Sequence, residues 1–363
     1  MARAHAAPRL CLTASLLLAS ACGGSRLEGT QPTPVQSGAG FVRYLPDADV
    51  IRTDPPGSDT PTLETCYFGL FDGVSQGNLS QLHSVERETG KKPAMVMWYI
   101  DWSTPFPTSA SHTLWQAGYV PHITWEAWRN RSMTSVTHAG ILAGEFDAYI
   151  DQFGKDAAAW GQPVFVRFGH EMNGDWYPWC SYVNGQTPQS FIRTFRYVHD
   201  RVVAAGATNV LWVWCPNNSG TDDPAGITAS YPGDDYVDWV GVDFYNWGTS
   251  QPWSRWLPAV DILRAPYEEI RRVAPGKPMM VGEMGTTPSG GDKAAWIAAF
   301  LPALRLGFPN VRAVVWFNID KETDWRFDDT DADLAAFRTG IRDPYFLTSG
   351  ANLASAHTRF RPR

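Results

Sequence analysis

Two glutamates stand apart from the other acids of the chain. Glu171 lies in Arg167-Phe-Gly-His170-Glu171-Met-Asn173-Gly-Asp-Trp176, just after the apolar run 163–168. Glu283 is the lone acid of Pro278-Met-Met-Val-Gly282-Glu283-Met-Gly285. Each sits where chain apolar enough for a strand buried on both faces opens into a glycine-containing turn. A carboxylate in such a place is either paired within the core or aimed at a ligand. Two of them on one cavity can divide the work of glycoside hydrolysis. One protonates the leaving oxygen, and the other attacks the anomeric carbon or activates water. For either glutamate alone, a buried ion pair with Arg167 explains the position equally well. Both together, among Trp176, Tyr177 and Trp179, favour catalysis. The helical zinc motif needs a second histidine four residues after His170, and position 174 is glycine. Neither a metal nor a cofactor is expected.

The elements that must hold these acids recur along the chain. Apolar runs at 66–71, 94–100, 119–125, 164–168, 210–214, 237–244, 279–281 and 311–317 each end in a polar or aromatic cluster. Amphipathic stretches at 144–160, 188–205, 259–273 and 292–306 lie between them. Strands alternating with helices give a parallel sheet, and eight of them favour a closed (β/α)8 barrel of the α/β class over an open sheet. Such a barrel carries its site at the C-terminal ends of its strands. The residues found there are Asp101-Trp102, His122, Trp125-Glu126, His170-Glu171, Cys215-Pro-Asn217, Asp243-Phe-Tyr245-Asn-Trp247, Glu283 and Trp316-Phe-Asn318.

The chain has 363 residues, and a barrel takes roughly 250 of them. Only 18% are charged and the net charge is −7, which argues against nucleic-acid binding. Seventeen tryptophans in so uncharged a chain suit flat neutral ligands such as sugars, although many must simply fill the core. Arg3 and Arg9 form a positive segment ahead of an apolar stretch, residues 10–18, too short to span a bilayer, so residues 1–22 read as a signal peptide. Ala19-Ser-Ala-Cys22 makes Cys22 a lipidation candidate, with plain secretion after Ala21 the alternative. Any membrane attachment is expected through that anchor alone. Residues 23–59 are a Gly/Pro/Ser-rich spacer, 60–345 the catalytic barrel and 346–363 a C-terminal tail; the protein is expected to be an exported monomer. Outside the signal and the anchor, Cys66, Cys180 and Cys215 remain. Export permits disulfides. Cys180 and Cys215 follow adjacent strands at the same end, so a Cys180–Cys215 bridge is expected, with Cys66 free.

From about residue 60 to 345 the chain resembles glycoside hydrolase family 26, retaining glycanases of the β-mannanase type with a (β/α)8 fold. The motifs Arg167-Phe-Gly-His170-Glu171-Met-Asn173-Gly-Asp-Trp176, Val242-Asp243-Phe-Tyr245, Gly282-Glu283-Met-Gly and Val315-Trp316-Phe-Asn318 carry the resemblance. It implies that Glu171 is the acid/base and Glu283 the nucleophile. It further implies that His170 and Tyr245 hydrogen-bond around the reacting sugar, Tyr245 towards the nucleophile. Trp316 would be an apolar floor under the sugar before the cleaved bond and Trp176 a neighbouring platform, with His122 and Asn318 as further substrate contacts. The last strand departs from the Thr-Trp-Arg-Asn ending common among mannanases. The ending found here is more similar to the branches that include mixed-linkage β-1,3-1,4-glucanases and β-1,3-xylanases, which makes those glycans the alternative. β-1,4-Mannan is the first expectation, on the frequency of mannanases in the family alone. A non-catalytic carbohydrate-binding protein, or an adhesin that uses the barrel as a spacer, would be expected to have lost an acid, and both are present.

Overall fold

The computed structural model describes residues 65–218 and 226–348. The expected signal peptide, Cys22 and the 23–59 spacer lie outside these residues, as does the tail from 349 onward. Nine strands are present among them: β1 Cys66–Phe71, β2 Met95–Asp101, β3 Val120–Glu126, β4 Val164–Phe168, β5 Val210–Trp214, β6 Trp239–Asn246, β7 Met279–Thr286, β8 Val311–Phe317 and β9 Phe346–Leu347. The helices are α1 Leu79–Thr89, α2 Thr108–Gln116, α3 His138–Leu142, α4 Asp147–Trp160, α5 Pro188–Ala204, α6 Ala259–Val273, α7 Lys293–Gly307 and α8 Asp331–Ile341. A 3-10 turn, Ile227–Ser230, stands between β5 and β6. β1 to β8 pair in parallel in chain order, and β1 closes on both β2 and β8, which makes the barrel. β9 adds to the outer edge of β1 through Cys66 and Tyr67, so the fold continues into the stretch expected as tail.

Local chemistry fixes the outer helices. α5 starts at Thr187, whose hydroxyl accepts from the Ser190 amide, while the Ser190 hydroxyl accepts from the Thr187 amide. Proline at its first turn needs no donor there. Phe191, Phe195, Val198 and Val202 then fall on one face and are buried against the sheet. Strand alternation divides the rest of the core in two. Met95, Met97, Phe165, Leu211, Val213, Met280, Ala313, Val315 and Phe317 fill the barrel, whereas Val96, Trp98, Val164, Val166, Phe168, Val314 and Trp316 face the helices.

That alternation overturns two expectations. Trp316 is 1% exposed and packs against Phe327, Phe337 and Trp296 in the outer layer, its indole donating to the Trp325 carbonyl at 2.9 Å. It cannot be a sugar floor, because its neighbours Val315 and Phe317 hold the inward positions. The Cys180–Cys215 bridge does not form either, and both thiols are free and buried, as is Cys66. Cys215 points into the barrel and lies 3.1 Å from Asp243 Oδ1, while Cys180 donates to the Glu171 carbonyl at 3.3 Å. Adjacent strand ends brought the two residues to one end of the barrel but turned their side chains to different partners.

Trp316→Ala should behave as a core truncation. A loss of about 3–5 kcal/mol is expected in denaturant unfolding. A variant that keeps its unfolding midpoint yet loses sugar binding would return Trp316 to the cleft.

Candidate active site

The site is built on Arg167, which projects from β4 into the barrel and is wholly buried. Its Nε and Nη2 donate to Thr124 Oγ1 on β3, at 3.0 and 2.8 Å. Nη1 donates to Asp243 Oδ2 on β6 at 2.6 Å, and Nη2 also donates to Glu283 Oε1 on β7. Glu283 reaches this position through a slip in the sheet. Met280 faces the barrel, but Val281 and Met284 both face the helices. Between them the pairing of β7 shifts on both neighbours, so that Asp243 opposes Glu283. Strict alternation from Met280 would have turned Glu283 outward; the irregularity re-aims it. Gly282 permits the close approach. A Cβ there would stand 2.6 Å from Asp243 Oδ1, 2.8 Å from Cys215 Sγ and 2.9 Å from Arg167 Nη1.

Two tyrosines complete the shell of Glu283. Tyr99 on β2 donates to Oε1, and Tyr245 on β6 donates to Oε2 at 2.7 Å. Burial works against the Glu283 anion, but the Arg167 guanidinium and the two phenols outweigh it and hold the carboxyl well below the usual range. His170 Nε2 lies 3.9 Å from Glu283 Oε1, beyond a hydrogen bond. Burial and Arg167 push the imidazole down to about 3, so it is neutral.

Glu171 is positioned differently. Gly169 and Glu171 both take left-handed backbone, with φ of 56° and 53°, which turns the chain sharply off β4. The Glu171 amide donates to the Cys215 carbonyl at 2.8 Å. Its Oε1 accepts from Asn217 Nδ2 at 2.6 Å and its Oε2 from Trp176 Nε1 at 2.7 Å. The Asn173 side chain clasps the Asn217 backbone, donating to its carbonyl at 2.9 Å and accepting from its amide at 2.8 Å. Gly174 makes room for Trp176, because a Cβ there would meet the indole ring at 2.5 Å. Among the described residues no cation pairs directly with Glu171, and Arg167 acts on it only weakly. Burial first, and the nearby Glu283 charge second, push it up to about 7.

The expected residues thus divide. Glu171, Glu283, His170, Tyr245 and Trp176 come together, and Trp176 remains 43% exposed at the mouth. His122 does not join them. It lies in mid-strand, fully buried against Phe165, and neither ring nitrogen has a hydrogen-bond partner among the described residues. Glu126, four residues on, is the β3 residue that reaches the mouth. Asn318 is turned to its own loop, accepting from the Phe327 amide at 2.8 Å and donating to Asp328 at 3.4 Å. Sequence reasoning missed Tyr99 and Asn217 as ligands of the acids. Tyr99 shares the inward phase of Met95 and Met97, so alternation along β2 would have found it. It also missed an aromatic wall beside Tyr245, in which Trp325 stands 4.7 Å from Tyr245 and 4.8 Å from Trp247. Trp253 follows at 5.3 Å from Trp247 and is 71% exposed.

A closed parallel barrel with two carboxyls at its mouth, one pushed towards the anion and the other towards the acid, is the arrangement that two-acid glycoside hydrolysis uses. The model of glycosyl hydrolase family 26 matches residues 102–265 of this chain. It is 35% identical over 274 residues to Endoglucanase H of Acetivibrio thermocellus, covering 74% of this chain and 29% of that protein. It is 23% identical over 215 residues to a β-1,3-xylanase of a Vibrio species, covering 52% of this chain and 42% of the relative. The chain therefore spans less than half the length of these relatives. A β-mannanase structure from Bacteroides ovatus shares the fold with a TM-score of 0.62 at 19% identity, covering 80% of this chain and 92% of that one.

Trp176→Phe should remove one donor from Glu171 and leave an aromatic ring in place. The anion loses stabilisation, so the Glu171 pKa should rise further. Carbon-13 NMR titration of the side-chain carboxyl reads this directly, and an unchanged or lower midpoint would show that the indole does not govern the proton.

Proposed function

We propose that this chain is an endo-acting, retaining β-glycanase with Glu171 as acid/base and Glu283 as nucleophile. One observation carries the reading: the two carboxyls end adjacent parts of the barrel mouth, near enough for the Glu283 charge to act on Glu171, yet are pushed in opposite directions, Glu283 down by Arg167 and its phenols, Glu171 up by burial and by Glu283. Groups so separated are suited to opposite roles at one pH. In the first step the Glu283 carboxylate attacks the anomeric carbon while Glu171 gives its proton to the departing glycosidic oxygen. The sugar is then esterified to Glu283 and the Glu283 charge is gone. The repulsion that raised Glu171 disappears with it, so Glu171 stays ionised and can take a proton from the attacking water. Water adds to the anomeric carbon, the ester bond breaks, and two inversions restore the original configuration.

For the substrate, the relative matched over most of the chain is named an endoglucanase, which favours a β-glucan backbone. β-1,4-Mannan is the second reading, favoured by a 29% identical match over 154 residues to a mannan endo-1,4-β-mannosidase of Bacillus subtilis. Hydrolysis of lichenan, mannan and β-1,3-xylan, with product sizing, separates them. Export, with or without lipid on Cys22, is proposed from the charged and apolar pattern of residues 1–22. Mass spectrometry of the mature N-terminus tests it.

Activity requires Glu283 ionised and Glu171 protonated. The rate should therefore be bell-shaped in pH, with an acid limb below the usual carboxylate range and an alkaline fall near pH 7. Glu283→Ala should abolish turnover. Glu171→Ala should still release good leaving groups in the first step, then stall, and azide should restore turnover and give a β-glycosyl azide. An α product, or identical behaviour of the two variants on activated substrates, overturns the assignment.

A further inference from the structure

A third carboxyl reaches the mouth of the barrel, and the mechanism does not use it. Glu126 ends β3, on the same face of the strand as Thr124, which binds Arg167. It lies one pleat repeat closer to the mouth. Its Oε2 accepts from Trp128 Nε1 at 3.2 Å, and no protein donor among the described residues engages Oε1. Trp128 stands edge-on to Tyr177 and to Trp179, with ring centres 5.6 and 5.4 Å apart. Tyr177 stacks on Trp179 at 4.4 Å and leans on His170 at 4.8 Å. Glu126 therefore belongs to the wall that adjoins Glu171. Its charge acts on Tyr177 together with those of Glu171 and Glu283, and Glu283 acts on Glu126 in return. Burial pushes Glu126 up to about 7, and the Trp128 indole and the charges of Arg131 and Arg167 offset that cost only in part.

A half-buried carboxylate with one oxygen spoken for and the other open to a cleft is an acceptor waiting for a donor. Among the groups a glycan brings to this cleft, hydroxyls are the donors, and a bond to a charged acceptor is stronger than one to a neutral acceptor. We propose that Glu126 binds a hydroxyl of the sugar seated beside His170 and Tyr177, accepting it through Oε1, and so selects the sugar without taking part in bond cleavage. This rests on the glycanase reading of the site.

The test uses Glu126→Gln in the full chain, because glutamine keeps an acceptor for Trp128 and gives up the charge. KM for an oligosaccharide of the preferred glycan should rise about tenfold or more, with kcat within about threefold of wild type. The melting temperature should stay near that of wild type. A series of substrates lacking one hydroxyl each then closes a double-variant cycle. Against one member of that series, wild type and Glu126→Gln should have equal KM. An unchanged KM, a kcat that falls in step with kcat/KM, or a difference that survives every deoxy substrate overturns the inference and leaves Glu126 as a clasp for Trp128. If wild type itself cleaves no glycan, the glycanase reading falls first and takes this inference with it.

Discussion

The site depends on a guanidinium buried inside a barrel. Arg167 has no surface exposed to solvent, so its desolvation must be met by protein groups. Asp243, Glu283 and Thr124 come from three other strands and meet it together. One cation thus serves two carboxylates. Asp243 lies deeper, receives the Cys215 thiol, and has no exposed surface. Glu283 is at the edge and keeps a small opening to the mouth. Removing Arg167 would leave two buried negative charges without compensation, the costly way to break such a pair. The ion pair that could have explained Glu283 as a core residue therefore exists, and it also favours the ionisation that the proposed role of nucleophile needs.

Much of this was legible in the sequence, for definite reasons. Strands buried on both faces are continuous apolar runs, and all eight were visible as such. Four of them, 66–71, 164–168, 210–214 and 311–317, coincide with the observed strands. The two acids were visible because a lone carboxyl at the end of an apolar run is conspicuous. Side-chain direction was the weak point. Trp316 and Asn318 share a strand end with Phe317, but only Phe317 faces the barrel, and the aromatic beside Tyr245 is Trp325 from the loop beyond. No periodicity runs through that loop, so its return to the barrel could not be read. His122 was placed correctly on its strand but at the wrong height. The slip that turns Glu283 inward left only Gly282 as a local sign.

The two acids illustrate two ways to aim a carboxyl. Glu283 is placed by charge: its position and its ionisation both come from Arg167. The same device would have spoiled Glu171, because a cation beside it would hold it ionised and unable to donate a proton. Glu171 is instead placed by backbone. The left-handed turn at Gly169 and Glu171 costs of order 1–3 kcal/mol at the non-glycine residue. The Cys215 carbonyl, the Cys180 thiol and the Asn173–Asn217 clasp hold that turn against relaxation. Its two side-chain partners, Asn217 and Trp176, are neutral donors. They orient the carboxyl and favour the anion only in part, so burial and the Glu283 charge still prevail. Strain in the main chain thus does for Glu171 what the ion pair does for Glu283, and it leaves the proton free to move.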